Sequence, residues 1–436
     1  MTSPTRTVEA KGVAMSTVRS ISSGNLLDQL FRTVRRRSEA AESLLHTLCH
    51  FAAGEEVQLF AVGGLVRDIL STHQSLPVSP LDIDLAIDGD PAPFHAALAS
   101  VATSQPTIHD RFGTASVSLA DGSHIDLART RSERYPAPGA LPIVAPAPIE
   151  VDLGRRDFTV NAAALALTGS RRGDLIDPHD ALGDLEQRMI RSLHRDSFRD
   201  DPTRLIRAAR YAARIEGTIE RPTLADARRD RANLAAVSPA RFGDAWRLLL
   251  REEDPRAALA FARRLRISES REPRWKVPKS ALLASDKPEQ FWAAIGLLNR
   301  DPEIVSWLPK SVGMQRRERL ALEAGAGLRR ARRSIGAMRR QSAIARALGR
   351  IPDSALQAAG VIWTGAAGTA ISCYLQRRPS IGSPISAQRL GELGVERGPR
   401  IGHWLTEIEA AIWDGELDPD DSSSVARMEQ RIRLSR

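Results

Sequence analysis

"LDIDLAIDGD", residues 81–90, sets four aspartates within ten positions. Apolar residues fill most of the gaps, so the stretch predicts a strand running into a turn. Side chains alternate across a strand, so Asp82 and Asp84 project from one face, about 7 Å apart along the chain. Asp88 shares that parity, yet about 20 Å of extended strand separates it from Asp82. Asp90 precedes Pro91 and a helical run, the pattern of an N-cap. The stretch therefore divides into a carboxylate pair on a strand, Asp82 and Asp84, and a turn, Asp88 and Asp90, that begins the next helix.

The neighbouring segments extend this unit. "VQLFAV" (57–62) predicts a strand, and "GGLVRDIL" (63–70) turns straight into a helix. The helix after Pro91 carries Phe94, Leu98 and Val101. "TASVSLADGSHIDLA" (114–128) predicts a hairpin with Asp121-Gly122 at its tight turn. "RYPAPGALPIVAPAPI" (134–149), rich in Pro and Ala, predicts a loop or mobile flap. These elements imply a small, highly curved mixed sheet with few helices. From Val151 the pattern turns helical: "NAAALAL" (161–167), "TRLIRAARYAARI" (203–215) and "ARFGDAWRLLLR" (240–251) all show helical spacing. "SALQAAGVIWTGAAGTAISCYLQ" (354–376) is the longest uncharged run. Its Ser, Thr, Gln and Gly suit a buried helix pair rather than a membrane span.

The chain has 436 residues, 42% hydrophobic and 26% charged, a globular composition expected to divide into two to four domains. Its 62 Lys and Arg exceed its 53 Asp and Glu, a net charge of +9. That surplus suits a polyanion such as nucleic acid, or reflects a basic proteome. Arginines concentrate at 313–350, either to grip a phosphate backbone or as solvated helix faces. Cys49 and Cys373 stand far apart, which argues against a disulfide framework and for a reducing compartment. The N-terminus lacks an apolar signal core, so residues 1–24 read as a disordered leader, with Met15 as an alternative start. A cytoplasmic protein without membrane partners is expected.

A lone Asp-x-Asp also occurs in loops for turn reasons. What raises it here is a third carboxylate, Asp126 in "HIDLA", on a strand able to lie beside the first. Such a set can hold Mg²⁺, a hard cation that takes oxygen ligands. Three carboxylates on adjoining strands can hold two metals for in-line nucleotidyl transfer. Gly63-Gly64 ends a strand and opens a helix, so backbone N–H groups can approach a phosphate there, and Arg67 can add a fork of donors. Alone, such a turn more often serves helix–strand packing.

"LFAVGGLVRDIL", "LDIDLAI", "RTRSERYPAPGALPIVAP", "VDLGRRDFTVNAAAL", "LIDPHDALGDLEQRMIR" and "DDPTRLIRAARYAAR" follow in this order over roughly residues 57–245. Together they resemble the class II tRNA nucleotidyltransferase and bacterial poly(A) polymerase family. "ISAQRLGELGVERGPRIGHWLTEIEAAIWDGEL" (385–417) is similar to the tail of its CCA-adding members. The resemblance implies an α+β chain: a polymerase-β-like nucleotidyltransferase head (25–155), then all-α neck (156–250), body (251–380, RNA binding) and tail (381–436, tRNA binding). It implies Asp82, Asp84 and Asp126 as catalytic metal ligands. Gly63, Gly64, Arg67 and Arg156 would bind the nucleotide's phosphates, and Asp157 and Asn161 the ribose and pocket floor. For "RRD" (155–157) the competing reading is a salt-bridge cluster at a helix N-terminus.

Base choice would fall to Asp201 and Arg204, with Arg207 and Arg210 assisting. C and A both present an amino donor beside a ring-nitrogen acceptor, which an Asp and an Arg complement. Placed at i and i+3, Asp201 and Arg204 are expected to share a helix face. Arg210, three steps on, points nearly opposite Asp201 and is expected to touch phosphate or brace a helix. Asp201 precedes Pro202 and also reads as an N-cap. Two departures from the family pattern occur. Asp200 stands where Glu is usual, and Ala245 replaces a carboxylate near "RFGDAW".

The implied activity is template-independent addition of CCA to tRNA 3′ ends from CTP and ATP. Its alternatives are a poly(A) polymerase, a CC-only or A-only enzyme, a small-molecule nucleotidyltransferase and a non-catalytic RNA-binding protein.

Overall fold

The computed structural model describes residues 23–71, 81–99, 106–109, 113–279, 281 and 287–435. The expected leader falls almost wholly outside the described residues, as does Val101. The chain divides into two compact units, the first formed by residues 1–237 with 264–270, the second by 238–263 with 271–436.

A seven-stranded mixed sheet builds the first unit, in the order β3-β4-β5-β2-β1-β8-β9. Its strands are β1 (Gln58–Val62), β2 (Asp82–Asp88), β3 (Thr107–His109), β4 (Thr114–Ser118), β5 (His124–Arg129), β8 (Ala164–Ala166) and β9 (Leu175–Ile176). Two small pairs stand apart: β6 (Arg131–Arg134) with β7 (Ile143–Pro146), and β10 (Met189–Ile190) with β11 (Thr218–Ile219). Alternation places Ile83, Leu85, Ile87, Leu59, Ala61, Ile125 and Leu127 on one fully buried face. On the other face Phe60, Val62 and Ala86 pack with Ile149 and Leu153 of the helix Ile149–Gly154. The upper part of that second face is left to the carboxylates.

Most expected elements appear where the residues placed them. The helix Gly63–Leu70 follows β1 directly, and Asp90 Oδ1 accepts from Ala92 N at 3.0 Å, capping the turn Ala92–Phe94. Asp88 closes β2 opposite Gln58 rather than lying in the turn. The β4–β5 hairpin forms, with residues 119–123 as its connection and Gly122 at φ 82°. Two segments differ. "NAAALAL" gives β8, a fully buried strand paired with β1, because a short apolar run carries no period that separates strand from helix. Within the expected flap, Ile143–Pro146 pairs with Arg131–Arg134, so the flap is a β-hairpin with residues 135–142 at its tip.

The second unit is helical throughout its described length. Trp246, Trp275 and Trp292 stack with Phe242 and Phe291 in its fully buried centre. The helices Pro288–Leu298 and Arg316–Ala337 cross with almost no separation, because Gly296 and Gly325 meet at the crossing. A Cβ on Gly325 would lie 2.1 Å from the Ala293 carbonyl oxygen, and one on Gly296 2.2 Å from that of Leu322. The uncharged run forms the helices Asp353–Ile362 and Ala366–Arg377, as its composition predicts. Residues 385–432 close a small core of their own around Leu390, Ile408, Ile412 and Ile432.

Candidate active site

The parallel junction of β2 with β5 decides the site. It makes Asp84 and Asp126 direct register partners and sets Asp82 opposite His124, so all three aspartates share the open face. Ser116 Oγ donates to Asp126, and His124 Nε2 lies 3.2 Å from the same carboxylate. On the other side of Asp84 stands Val62, and β1 ends there in the Gly63 turn. Gly63 has φ +68°, and a Cβ on it would lie 2.7 Å from Asp84 Oδ2, so both backbone conformation and space demand glycine. Gly64 meets neither constraint.

Burial pushes the Asp84 carboxyl pKa upward. Arg156 and Arg207 oppose that rise, while Asp126 and Asp82 add to it. Oxygen donors crowded in this way suit a hard divalent cation. Among the described residues, no three His, Cys, Asp or Glu side chains are gathered tightly enough to hold a metal as they stand.

"RRD" forms at the C-terminal end of the helix Ile149–Gly154, not at a helix N-terminus. Arg155 donates to Asp152 (2.7 Å), to Glu133 (2.8 Å) and to the Arg131 carbonyl (3.1 Å), riveting the flap hairpin to this helix. Arg156 donates to Asp152 at 3.0 Å and leans toward Gly63 and Asp84. Burial alone would raise the Asp152 pKa, but Arg156 and Arg155 hold it below the usual carboxylate range. Where the flap's tip begins, Tyr135 donates to Glu133 at 2.7 Å. Burial, reinforced by Glu133, keeps its phenol well above its ordinary pKa.

Asp157 lies buried at the centre of a second network. Its carboxylate accepts from Arg207 Nε at 2.6 Å, Phe158 N at 2.9 Å and Asn161 Nδ2 at 3.1 Å. Burial would raise its pKa, but Arg207, Arg204 and these hydrogen bonds pull it down. Asn161 Oδ1 in turn accepts from Arg67 at 3.0 Å, and Asp68 accepts from the same guanidinium. Arg67 is therefore fully buried, bound to protein oxygens rather than forked toward open space. The guanidinium groups of Arg67, Arg207 and Arg210 surround the Tyr211 ring at 5.3, 5.8 and 5.6 Å.

The expected base-reading pair takes a different geometry. The helix begins at Arg204, and Asp201 stands ahead of it in extended conformation, so the two do not share a helix face. Thr203, not Asp201, is the N-cap of that helix, and Asp201 ends the short helix Ser197–Asp200. Asp201 Oδ1 accepts from Thr203 N at 3.0 Å and Thr203 Oγ1 at 2.7 Å, closing the turn between the two helices. Arg204 is 5% exposed and donates to Ser197 Oγ and to the Arg155 carbonyl, both at 2.7 Å. Arg155, Asp152, Glu133 and Ser197 were not among the residues singled out from the sequence. The first three carry charges in motif blocks that could have found them, whereas nothing in "HRDSFRD" marks Ser197.

Residues 59–191 match the family described as the poly A polymerase head domain. An A-adding tRNA nucleotidyltransferase of Halalkalibacterium halodurans is 38% identical over 240 residues, 54% of this chain and 54% of that protein. A CC-adding tRNA nucleotidyltransferase of Deinococcus radiodurans is 42% identical over 164 residues, 38% of this chain and 42% of the relative. The chain thus spans about half the length of the relatives it matches. Among solved structures, a CCA-adding enzyme in apo form II superposes with TM-score 0.71 at 23% identity, over 93% of this chain and 98% of the other. The Thermotoga maritima CCA-adding enzyme complexed with tRNA gives 0.69 at 22% identity, over 94% and 98%. None of the described helices is long and apolar enough to cross a membrane. Residues 59–191 are thus similar to poly A polymerase head domains, and the chain carries the fold of the solved CCA-adding enzymes.

Proposed function

We propose that this protein is a tRNA nucleotidyltransferase that completes tRNA 3′ ends with CCA from CTP and ATP. The observation that carries this reading is the β2–β5 register, which sets Asp82, Asp84 and Asp126 on one open face beside the Gly63 turn. The similarity to A-adding and CC-adding relatives and to a tRNA-bound CCA-adding enzyme supports the substrate class.

Asp82, Asp84 and Asp126 would hold Mg²⁺ or a similar divalent cation. Bound there, such a cation supplies Lewis-acid stabilisation of phosphoryl and hydroxyl oxygens. The chain's own residues do the rest. The N–H groups opening the helix Gly63–Leu70 receive phosphate oxygens, with Arg156 adding positive charge beside Asp84. Asp157, held by Arg207 and Asn161, fixes the pocket floor on which the ribose sits. Asp201 accepts from the exocyclic amino group of C or A through the carboxylate capacity left by its turn with Thr203, and Arg204 donates to the ring nitrogen. U and G present the reverse order and leave both partners unsatisfied, a discrimination of roughly 1–3 kcal/mol per bidentate contact.

Incubation with tRNA lacking CCA, Mg²⁺ and CTP, ATP or both tests this reading by product length. Growth by three nucleotides only with both substrates is expected. Asp82→Ala should abolish extension while retaining tRNA binding. The names of the relatives favour a second reading, addition of A alone or of CC alone, which the same gel reports as one or two added nucleotides. Long A-tails on arbitrary RNA would instead identify a poly(A) polymerase, and absence of any extension would leave an RNA-binding protein.

A further inference from the structure

Ser197 touches both members of the base-reading pair. It opens the short helix Ser197–Asp200 and is completely buried. Its carbonyl accepts the Asp201 amide at 3.2 Å, and its hydroxyl accepts Arg204 Nη1 at 2.7 Å. The second anchor of Arg204, the Arg155 carbonyl, accepts Nη2 at 2.7 Å. Two acceptors, one on each terminal nitrogen, fix the plane of a guanidinium and use two of its five N–H donors.

Both acceptors are neutral. Neither cancels the charge of Arg204, so the guanidinium is oriented without being consumed in an ion pair. A buried arginine without such anchors would turn about its terminal torsion toward the carboxylates around it. The Arg204 charge acts on Asp157, Asp200 and the Tyr135 phenol, so all three lie within electrostatic reach.

We propose that Ser197 is a positioning residue for base selection: its hydroxyl sets the guanidinium plane of Arg204 while its carbonyl sets the backbone of Asp201. The proposal rests on the reading of Asp201 and Arg204 as the base-contacting pair. Selectivity of this kind tolerates only small angular error, since a hydrogen-bonding edge turned by 10–20° or so loses its match to the base. Ser197 acts through Arg204 and touches no substrate. Its loss is therefore expected to change which nucleotide is added and not how tRNA is held.

The test compares Ser197→Ala, Ser197→Cys and Ser197→Thr, each with and without Arg204→Ala. Each variant is assayed for kcat/KM with CTP, ATP, UTP and GTP on tRNA lacking its 3′ nucleotides. Ser197→Ala and the near-isosteric Ser197→Cys are expected to lower the preference for CTP and ATP over UTP and GTP by roughly tenfold or more, the low end for one charge-assisted hydrogen bond. Ser197→Thr, which keeps the hydroxyl, should retain most of it, and KM for tRNA should stay at its original value. On the Arg204→Ala background the Ser197 substitutions should have no further effect on preference. An unchanged preference in Ser197→Ala and Ser197→Cys beside a relaxed Arg204→Ala overturns the positioning role and leaves base reading intact. So does a Ser197 effect that persists in full without Arg204. If Arg204→Ala itself keeps the original preference, the base-reading assignment falls first and the role of Ser197 with it.

Discussion

Asp157 shows how one residue can serve both stability and the site. Its carboxylate is buried and satisfied by Arg207, Asn161 and the Phe158 amide. Asp157→Asn keeps the shape but removes the charge opposite Arg207, and is expected to destabilise the protein by about 2–4 kcal/mol at pH 7. Because the folded pKa lies below the unfolded one, this contribution is fully present above the unfolded value and is lost as pH falls through the folded value. Urea melts of the two proteins should therefore differ most at neutral pH and converge below about pH 4. A gap that widened in acid would contradict the ion pair. Gly63 answers to geometry alone. Gly63→Ala meets both a positive φ and the Asp84 carboxylate, so extension should fall by about a hundredfold or more, with Asp84 driven from its place. Equal activity in that variant would mean that the turn does not set Asp84.

Elements record best what the sequence makes readable and what it hides. β2 was readable because its aspartates alternate with apolar residues and its partner β5 carries the same period. That alternation puts Asp82 and Asp84 on one face, and only the β2–β5 register adds Asp126 to them. β8 was hidden because its alanines favour a helix by propensity, and only pairing with β1 overrides that preference. The turn at Asp201 was readable from Pro202, yet the anchoring of Arg204 by Ser197 and the Arg155 carbonyl was not, since tertiary packing brings those groups together. The helix crossing in the second unit was equally silent. Gly296 and Gly325 read as helix-weakening residues, but they admit backbone oxygens where a methyl group cannot fit. Gly325→Ala should thus lower stability by about 1–3 kcal/mol or more despite its better helix propensity. A thermal melt that rose instead would show that the crossing is not tight.

For the molecule as a whole, the net charge of +9 bears on how a polyanion is held. If tRNA is the partner, each phosphate neutralised by an arginine releases counterions, and log affinity should fall linearly with log salt. Filter binding between 50 and 200 mM salt is expected to show a loss of about tenfold or more, while Asp82→Ala leaves the slope unchanged. A flat dependence would assign the basic surplus to solvated faces. The β2–β5 junction bears on the order in which the molecule forms. It is the one parallel pairing of the seven-stranded sheet, so it cannot close as a simple turn and must wait for the chain through β3 and β4 to fold back. Asp126 is therefore expected to reach Asp82 and Asp84 late, after the local helices have formed. During refolding, helical ellipticity should recover ahead of catalytic competence, which waits on this seam and on the still longer-range pairing of β1 with β8.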